Sequence, residues 1–205
     1  MGPSEEELRE RVARAAELVR AGGLVVYPTE TFYALGALAF SSSALARLAS
    51  AKRRPLGKSL PLIAGDESQV ERVAVLEGPL ARRLASRVWP GPVTLVLPAV
   101  AHLPPELVAP DQTVAVRIPG SELARRLALE SGGPLVSTSA NLSGEPPPWR
   151  VESLSKELLA GVAGVLDGGP TPGGRPSTLV LVLRDSLRLV REGAVSLAEI
   201  EAACK

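Results

Sequence analysis

The hydrophobic positions at the start of the chain follow helical spacing. Behind Ser4 and Glu7, which form a capping-box signature, apolar residues recur three and four positions apart from Leu8 to Val19. Gly22 and the glycine after it interrupt this pattern. The pattern therefore predicts a helix that ends at these two glycines and leads into a first strand.

Similar spacing and short apolar runs predict the remaining elements. Helices are expected at residues 43–53, 67–73, 79–88, 122–130, 152–159 and 197–203. Strands are expected at residues 24–28, 60–64, 93–97, 113–118, 135–138, 164–167, 177–183 and 187–191. The last two strands have no helix between them, which favours an antiparallel pair in that part of the sheet.

The order of these elements predicts an α/β-type fold, which could also be classed as α+β. No internal repeat or linker-like change of composition divides the 205 residues, so residues 1–205 are interpreted as one domain. We expect three layers, with helices covering a twisted, mixed parallel and antiparallel sheet.

Composition narrows the class of protein. Hydrophobic residues make up 45% of the chain and charged residues 22%, which is typical of a globular protein. No apolar run is long enough to span a membrane and the N-terminus does not resemble a secretion signal, so a cytoplasmic protein with no membrane partner is expected. A single cysteine, Cys204, and a single histidine, His102, argue against disulfides, Cys/His zinc sites and His-based triads.

Charge indicates that any anion site must be local. The formal net charge is only +1, but 19 of the 23 basic residues are arginine, which suits bidentate contacts with phosphate or carboxylate. The glycine-rich stretch at residues 168–178, GGPTPGGRPST, is not interpreted as a P-loop. It lacks the lysine and no helix follows it, although it could form a mobile flap.

Residues 27–36, YPTETFYALG, place several polar side chains where a buried strand gives way to a loop. Buried hydroxyls and carboxylates need hydrogen-bonding partners, so the stretch could form the floor of a site. An ordinary polar transition from strand to loop explains the same pattern, and this segment alone does not separate the two.

Further polar residues recur where other predicted strands meet loops. Converging cations, hydroxyls and amides would form a pocket for a polyanion. The candidates outside residues 27–36 are Lys52, Arg54, Lys58, Arg117, Ser137, Ser139, Asn141, Ser177, Thr178 and Arg191. Simpler explanations exist, because residues 52–54 could be a solvated helix end and residues 139–144 a capped turn. Arg117 and Arg191 are harder to explain in this way, because both end apolar strands.

Seven ordered motifs resemble those of the YrdC-like family, the threonylcarbamoyl-adenylate synthases that begin the synthesis of threonylcarbamoyladenosine in transfer RNA. The resemblance covers nearly the whole chain. The motifs are PTETFYALG at residues 28–36, KRRP at 52–55 with Lys58, WPGPVTLVLP at 89–98, VAVRIP at 114–119, STSANLSGEPP at 137–147, PST at 176–178 and REG at 191–193.

The resemblance implies a domain with a large concave cavity that makes threonylcarbamoyl-AMP and pyrophosphate from L-threonine, bicarbonate and ATP. It implies a nucleotidyltransferase that uses Mg²⁺ with ATP. Its product would pass to downstream threonylcarbamoyl transferase proteins and tRNA. No covalent enzyme nucleophile is required, so catalysis would rest on positioning and electrostatics.

The family signatures K-x-R and S-x-N fall on Lys52, Arg54, Ser139 and Asn141, which are the expected catalytic residues. Threonine and bicarbonate are assigned to Thr29, Thr31, Tyr33, Ser177 and Thr178, near Lys52 and Arg54. Nucleotide contacts are assigned to Lys58, Arg117, Ser137 and Arg191, with Ser139 and Asn141. No metal ligands are assigned to the protein itself, because the magnesium ion would be held largely by the triphosphate.

The first motif departs from the usual family pattern at two positions. Phe32 replaces a valine, and Ala34 replaces a glycine. An alanine would be strained if that position required a positive φ, whereas it would be tolerated if the glycine only allowed a close approach.

Two other functions are considered. An RNA-binding or ribosome-maturation module could use the same basic concavity without catalysis, with Arg82, Arg83 and Arg87 as further contacts. Low net charge and few aromatic residues count against this module. A carbamoyl-transfer domain like those of hydrogenase maturation would share the fold, but such domains usually belong to much longer proteins.

Overall fold

A computed structural model describes residues 4–53 and 60–204. The helices are α1 Glu5–Arg20, α2 Ser42–Ala51, α3 Glu67–Glu71, α4 Pro79–Val88, α5 Glu122–Glu130, α6 Lys156–Leu159 and α7 Leu197–Ala203. The strands are β1 Val25–Pro28, β2 Tyr33–Gly36, β3 Leu62–Ile63, β4 Val93–Pro98, β5 Thr113–Arg117, β6 Leu135–Val136, β7 Thr138–Ser139, β8 Gly164–Val165, β9 Thr178–Val182 and β10 Leu187–Arg191. No helix in the described ranges is long and apolar enough to cross a membrane.

The first helix begins as the sequence predicts. The Ser4 hydroxyl accepts a hydrogen bond from the Glu7 backbone, and the Glu7 carboxylate accepts one from the Ser4 backbone. Together these bonds satisfy two donors that the start of a helix leaves unpaired. The capping box and the apolar face from Val12 to Val19 therefore position α1 directly before β1.

The strands form two mixed hydrogen-bonded sheets rather than one. The first has the order β7-β2-β1-β8, and the second has the order β10-β9-β4-β5-β3-β6. Strand β6 pairs with β3 in the second sheet, and β7, which follows almost immediately, pairs with β2 in the first. Ser137 lies between these strands, where its backbone N–H donates to the Pro61 carbonyl at 2.8 Å. The chain thus passes from one sheet to the other beside a residue predicted to bind nucleotide.

Two apolar clusters explain the layered arrangement. Val25 and Tyr27 pack with α1 and α5, whereas Val26 packs in the other cluster with α2, α3 and α4. Alternate residues of a strand point to opposite faces, so β1 is buried on both sides. The mixed α/β fold with helices on both faces is confirmed.

Three local predictions were wrong. Residues 33–36 form β2, although the sequence indicated a loop there, because they pair with β1 on one side and β7 on the other. The helix expected at residues 152–159 is a 3-10 turn at Val151–Ser153 followed by α6, which Ser155 caps. The strand expected at residues 135–138 is divided into β6 and β7 by the passage between the sheets.

Candidate active site

A cavity of about 690 Å³ lies between the two sheets. The first sheet and its loops form one side of the cavity, the first wall. Strands β4, β5, β9 and β10 form the other side, the second wall. The first wall includes Thr29, Thr31, Phe32, Tyr33, Ala34, Thr138, Ser139, Asn141 and Glu145, and the second includes Thr94, Ala115, Arg117, Ser177, Leu179 and Arg191. Ser137 lies where the walls meet, and Gly174 and Pro176 of the glycine-rich loop also face the cavity. Most of the predicted polar residues therefore converge on one site.

On the first wall, Thr29 shapes the turn between β1 and β2. Its hydroxyl donates to the Phe32 carbonyl at 2.7 Å and accepts from the backbone N–H groups of Thr31 and Phe32 at 3.2 Å. The two threonine hydroxyls lie 3.1 Å apart. The Thr29 hydroxyl already donates one bond and accepts two, so it has little capacity left for a ligand, whereas the Thr31 oxygen keeps a lone pair that can accept from one. Thr29 thus builds the wall, and Thr31 is the better ligand.

The hydroxyl of Tyr33 is hydrogen-bonded within the protein. It donates to the Gly169 carbonyl at 2.7 Å and lies 3.2 Å from a carboxylate oxygen of Asp167. Burial raises the pKa of this hydroxyl, so it remains a hydrogen-bond donor. Tyr33 thus fastens the start of the glycine-rich loop to β2, and it also lines the cavity, so its contact with threonine stays a prediction.

The glycine-rich loop has further attachments to the first wall. The Gly173 N–H donates to the Thr31 carbonyl at 2.8 Å, and the Thr171 N–H donates to the Trp149 carbonyl at 2.7 Å. Gly173 and Gly174 adopt φ of 68° and 83°, which few side chains other than glycine tolerate. The loop is therefore held over the cavity by backbone hydrogen bonds.

Lys52 joins the two predicted catalytic motifs. This residue is only 4% exposed, and its ammonium donates to the carbonyl oxygens of Ser139 and Asn141, the second at 2.9 Å. The Asn141 side-chain oxygen lies 3.5 Å away. Lys52, Ser139 and Asn141 thus come together, as the sequence predicts. The two hydrogen bonds from the lysine to carbonyl oxygens hold the backbone of the S-x-N segment.

The second wall carries two arginines. Arg117 is 5% exposed, and its Nε lies 3.2 Å from Oε1 of Glu30, a close ion pair whose atoms are not aligned for a hydrogen bond. Arg191 donates to the Ser177 carbonyl at 2.8 Å. Burial lowers the pKa of Arg191, and the positive charge of Arg117 lowers it further. Both arginines line the same cavity. Such a pair attracts an anion.

The remaining predicted residues have different placements. Ser177, which was assigned to the threonine side, lies on the second wall, where its hydroxyl accepts from Thr94 at 2.9 Å. Thr178 is fully buried outside the cavity lining, and its hydroxyl bonds the backbone of Val195. Its predicted contact with substrate therefore has no support in the geometry. Arg54 and Lys58 lie outside the described residues.

Ala34 is not strained. It lies in β2 opposite Ser139, and its φ is not positive, since Arg53 and Gln112 are the non-glycine residues with positive φ in the described ranges. Its methyl group packs in the cluster that contains Tyr27. The position therefore tolerates alanine.

The sequence interpretation missed three residues. Glu30 was given no role in the predicted site, but it is the partner of Arg117. Thr94 was counted only as part of an apolar strand, although a hydroxyl in such a strand was a usable signal. Asp167 follows a predicted strand, and no local pattern linked it to Tyr33.

The basic residues of α4 are separate from this site. Arg82, Arg83 and Arg87 are exposed on the helix, and none is among the residues that line the cavity. The basic concavity and the basic helix are thus two features, which weakens the RNA-binding module as an explanation of the cavity.

Comparison with known proteins identifies the family of the chain. The Sua5/YciO/YrdC family model, described as telomere recombination, matches residues 17–193. The threonylcarbamoyl-AMP synthase of Bacillus subtilis is 40% identical over 94% of this chain and 56% of its own length, and that of Pyrococcus abyssi is 38% identical over 96% of this chain and 57% of its own. The chain thus spans a little over half the length of these two relatives. The threonylcarbamoyl-AMP synthase of Stenotrophomonas maltophilia is 41% identical over 75% of this chain and 84% of its own length.

Solved structures agree with the sequence comparisons. Pyrococcus abyssi Sua5 in complex with L-threonine superposes with a TM-score of 0.88 at 37% identity, over 94% of this chain and 56% of that one. Escherichia coli YciO superposes with a TM-score of 0.83 at 29% identity, over 94% and 93% of the two chains. Matches of this extent in sequence and structure show that the chain belongs to the Sua5/YciO/YrdC family.

Proposed function

We propose that this chain is an L-threonylcarbamoyladenylate synthase, which makes threonylcarbamoyl-AMP and pyrophosphate from L-threonine, bicarbonate and ATP. The proposal rests mainly on two chemically different walls that line one cavity. One wall offers the Thr31 hydroxyl and the segment held by Lys52, and the other offers Arg117 and Arg191. The threonine-bound state of Pyrococcus abyssi Sua5 supports a threonine subsite in a cavity of this fold.

The reaction needs its substrates to be held together and the developing negative charge to be stabilised, and the two walls can do both. The threonine amino nitrogen attacks the carbon of bicarbonate, water leaves, and an N-carboxylate forms. An oxygen of that carboxylate then attacks the α-phosphorus of ATP, and the bond to pyrophosphate breaks. Negative charge accumulates on the phosphate oxygens during this step, and positive groups held in place stabilise it.

We assign the phosphates to the second wall. Arg117 and Arg191 face the same space, and guanidinium groups form charge-assisted hydrogen bonds to phosphate oxygens. The amino acid belongs to the first wall, because Thr31 keeps lone pairs that can accept from an ammonium or amino group. We assign Ser137, where the walls meet, to the space between the two substrates, and Ser139 to the first-wall side of that space.

Magnesium fits this arrangement as part of the nucleotide. Within residues 4–53 and 60–204, no three His, Cys, Asp or Glu side chains come together in a way that could hold a metal ion. Mg²⁺ binds phosphate oxygens and water readily and needs few protein ligands when a triphosphate is present. Bound to ATP, it would neutralise charge on the leaving pyrophosphate. Glu145 is a carboxylate in the lining of the cavity and would be available to the ion.

The product determines the class of downstream partner. A mixed anhydride of a carbamate and AMP hydrolyses readily, so a second protein must take it from the cavity. We propose that threonylcarbamoyl transferase proteins carry the group to tRNA.

The test is a reconstituted synthase assay. Purified protein is incubated with ATP, Mg²⁺, bicarbonate and labelled threonine, and both pyrophosphate and labelled adenylate are measured. We expect equal amounts of the two products, and neither product when threonine or bicarbonate is omitted. Pyrophosphate release that is the same without threonine would show that this chain is not the synthase.

A further inference from the structure

Thr94 places a hydroxyl in a strand that is otherwise apolar up to its last residue. Residues 93–97 of β4 read VTLVL, and Val93, Leu95 and Leu97 pack in the larger apolar cluster. Alternate residues of a strand point to opposite faces, so Thr94 faces the cavity, which it lines, although the residue is only 1% exposed. Valine has nearly the same shape and suits a strand at least as well. The packing of β4 therefore does not explain the hydroxyl.

The Thr94 hydroxyl donates to a second hydroxyl in the cavity lining. Its acceptor is Ser177 Oγ at 2.9 Å, and Nη2 of Arg191 donates to the same oxygen at 3.4 Å. A serine oxygen has two lone pairs and one proton, so these two donors use its capacity to accept. Within the described ranges, the Ser177 hydroxyl accepts these two bonds and donates none. Because Ser177 lines the cavity, its proton is left for a ligand there.

The backbone at Ser177 is fixed separately from the hydroxyl. Nη2 of Arg191 donates to the Ser177 carbonyl at 2.8 Å, and the N–H of Ala194 donates to the carbonyl of Pro176 at 2.8 Å. These bonds hold the main chain before and after the Ser177 side chain. The direction of its O–H therefore depends on the donors that reach the oxygen, and Thr94 is the nearer of the two.

We propose that Thr94 is a positioning residue for the threonine subsite, because its hydrogen bond makes Ser177 a donor toward the carboxylate of the bound amino acid. The identity of the ligand rests on the proposed function and on the assignment of Ser177 to threonine. A carboxylate only accepts hydrogen bonds, and a bond to an ionised group is stronger than one between neutral groups. A threonine with its amino group at Thr31 and its carboxylate at Ser177 would bridge the two walls.

The test measures the binding of L-threonine by calorimetry in the absence of ATP. We expect Ser177→Ala to raise the Kd about tenfold or more, because the donor is removed, and Thr94→Val to raise it about fivefold, because the donor remains but is no longer held in one direction. Thr94→Ser keeps the hydroxyl and loses only the methyl group, so it is the matched control and should stay within about twofold of the wild type. In the synthase assay, Thr94→Val should raise the KM for threonine and leave kcat and the KM for ATP within about twofold.

A double variant tests whether Thr94 acts through Ser177. Adding Thr94→Val to Ser177→Ala should change the Kd by less than about twofold, because the hydroxyl that Thr94 orients is already absent. Effects that multiply would show that Thr94 acts independently of Ser177 and would overturn the proposal. Thr94→Ala removes the same hydroxyl and should raise the Kd equally, which keeps the test available if Thr94→Val does not fold.

The outcomes separate this proposal from the proposed function. An unchanged threonine Kd in Thr94→Val, or an equal loss of affinity in Thr94→Ser, would overturn the positioning role even in a protein that makes the adenylate. A rise in the KM for ATP in place of that for threonine would also overturn it. A protein that binds threonine and shows the Thr94→Val effect, yet makes no adenylate, would support the positioning role and refute the synthase. Absence of threonine binding in the wild type would overturn the positioning role.

Discussion

The two walls of the cavity differ in how their polar groups are satisfied. On the first wall, the Thr29 and Tyr33 hydroxyls and the Lys52 ammonium bind backbone carbonyl oxygens. On the second wall, two arginines line the cavity, and one of them pairs with a carboxylate. The first wall is therefore a shaped template, whereas the second holds charge that a ligand can balance.

Residues of similar type can therefore make different kinds of contact within one site. Lys52 and Arg117 are both buried cations from family motifs. Lys52 donates hydrogen bonds to the backbone of Ser139 and Asn141, whereas Arg117 lines the cavity and pairs with Glu30. The following variants test that distinction, beginning with the largest expected effect.

Loss of the second-wall charge should have the largest effect. We expect Arg117→Gln to lower kcat/KM for ATP by about 100-fold or more, because one charged group that stabilises the transition state is removed. The KM for threonine should change little. Steady-state kinetics with each substrate varied in turn measure both values.

Arg188→Gln is the matched control for that experiment. Arg188 is exposed on β10, the strand that also carries Arg191, and it is not among the cavity residues. Its removal should leave the kinetics unchanged. An equal loss for both substrates in Arg117→Gln would contradict the division between the walls.

Replacement of Lys52 by Met should reduce both activity and stability. We expect kcat to fall by about 30-fold as the S-x-N segment loosens, and the free energy of unfolding to fall by about 2 kcal/mol, because two buried carbonyl oxygens lose a charged donor. Activity assays and denaturant titration measure the two effects. Lys156→Met, at an exposed site at the start of α6, serves as control. Unchanged stability with lost activity would show that Lys52 acts on the substrate itself.

Tyr33 should make stability sensitive to alkaline pH. Burial raises the pKa of Tyr33 and of Tyr27 in the folded protein, whereas in the unfolded chain both ionise near pH 10, so stability should be complete below about pH 10 and decline above it. Tyr33→Phe removes one of these groups. It should lower stability by about 1 kcal/mol at neutral pH and reduce the alkaline decline.

Melting temperatures from pH 8 to 11 would measure this dependence, together with the KM for threonine. We expect a KM increase of a few-fold in Tyr33→Phe, because the glycine-rich loop loses its bond at Gly169. An alkaline decline identical in the wild type and the variant would show that Tyr33 does not contribute to it.

Restoring the family glycine should have the smallest effect. Ala34→Gly is expected to leave activity within about twofold and to lower stability by about 0.5–1 kcal/mol, because glycine is entropically unfavourable in a strand. Thermal unfolding measures the change. A gain in stability would mean that the alanine is strained after all.

Much of the fold could be predicted because its signals are local. The capping box at Ser4 and the apolar spacing of α4 and α5 predicted those helices at or near their observed limits. The wrong predictions depended on distant partners. Strand β2 is only four residues long, and its pairing with β1 and β7, rather than its own composition, makes it a strand.

The site was predicted as a set of residues but not as a set of contacts. The order of the motifs identified Thr31, Arg117, Ser139, Asn141 and Arg191, all of which line the cavity. The same residue types also bond to backbone, so the sequence did not distinguish ligands from supports. Thr178 was predicted as a ligand, yet its hydroxyl is bonded within the fold.

The amino-acid sequence by itself determined most helices and strands, the family and the side chains that could act, because these follow from local spacing and ordered motifs. Only the tertiary structure decided that Tyr33 fastens a loop, that Lys52 joins two motifs and that Glu30 faces Arg117. The physical reason is that a side chain's partner depends on which distant segments the sheets bring together. Hydrogen bonds and charge pairs act over a few ångströms in space, whatever the separation along the chain.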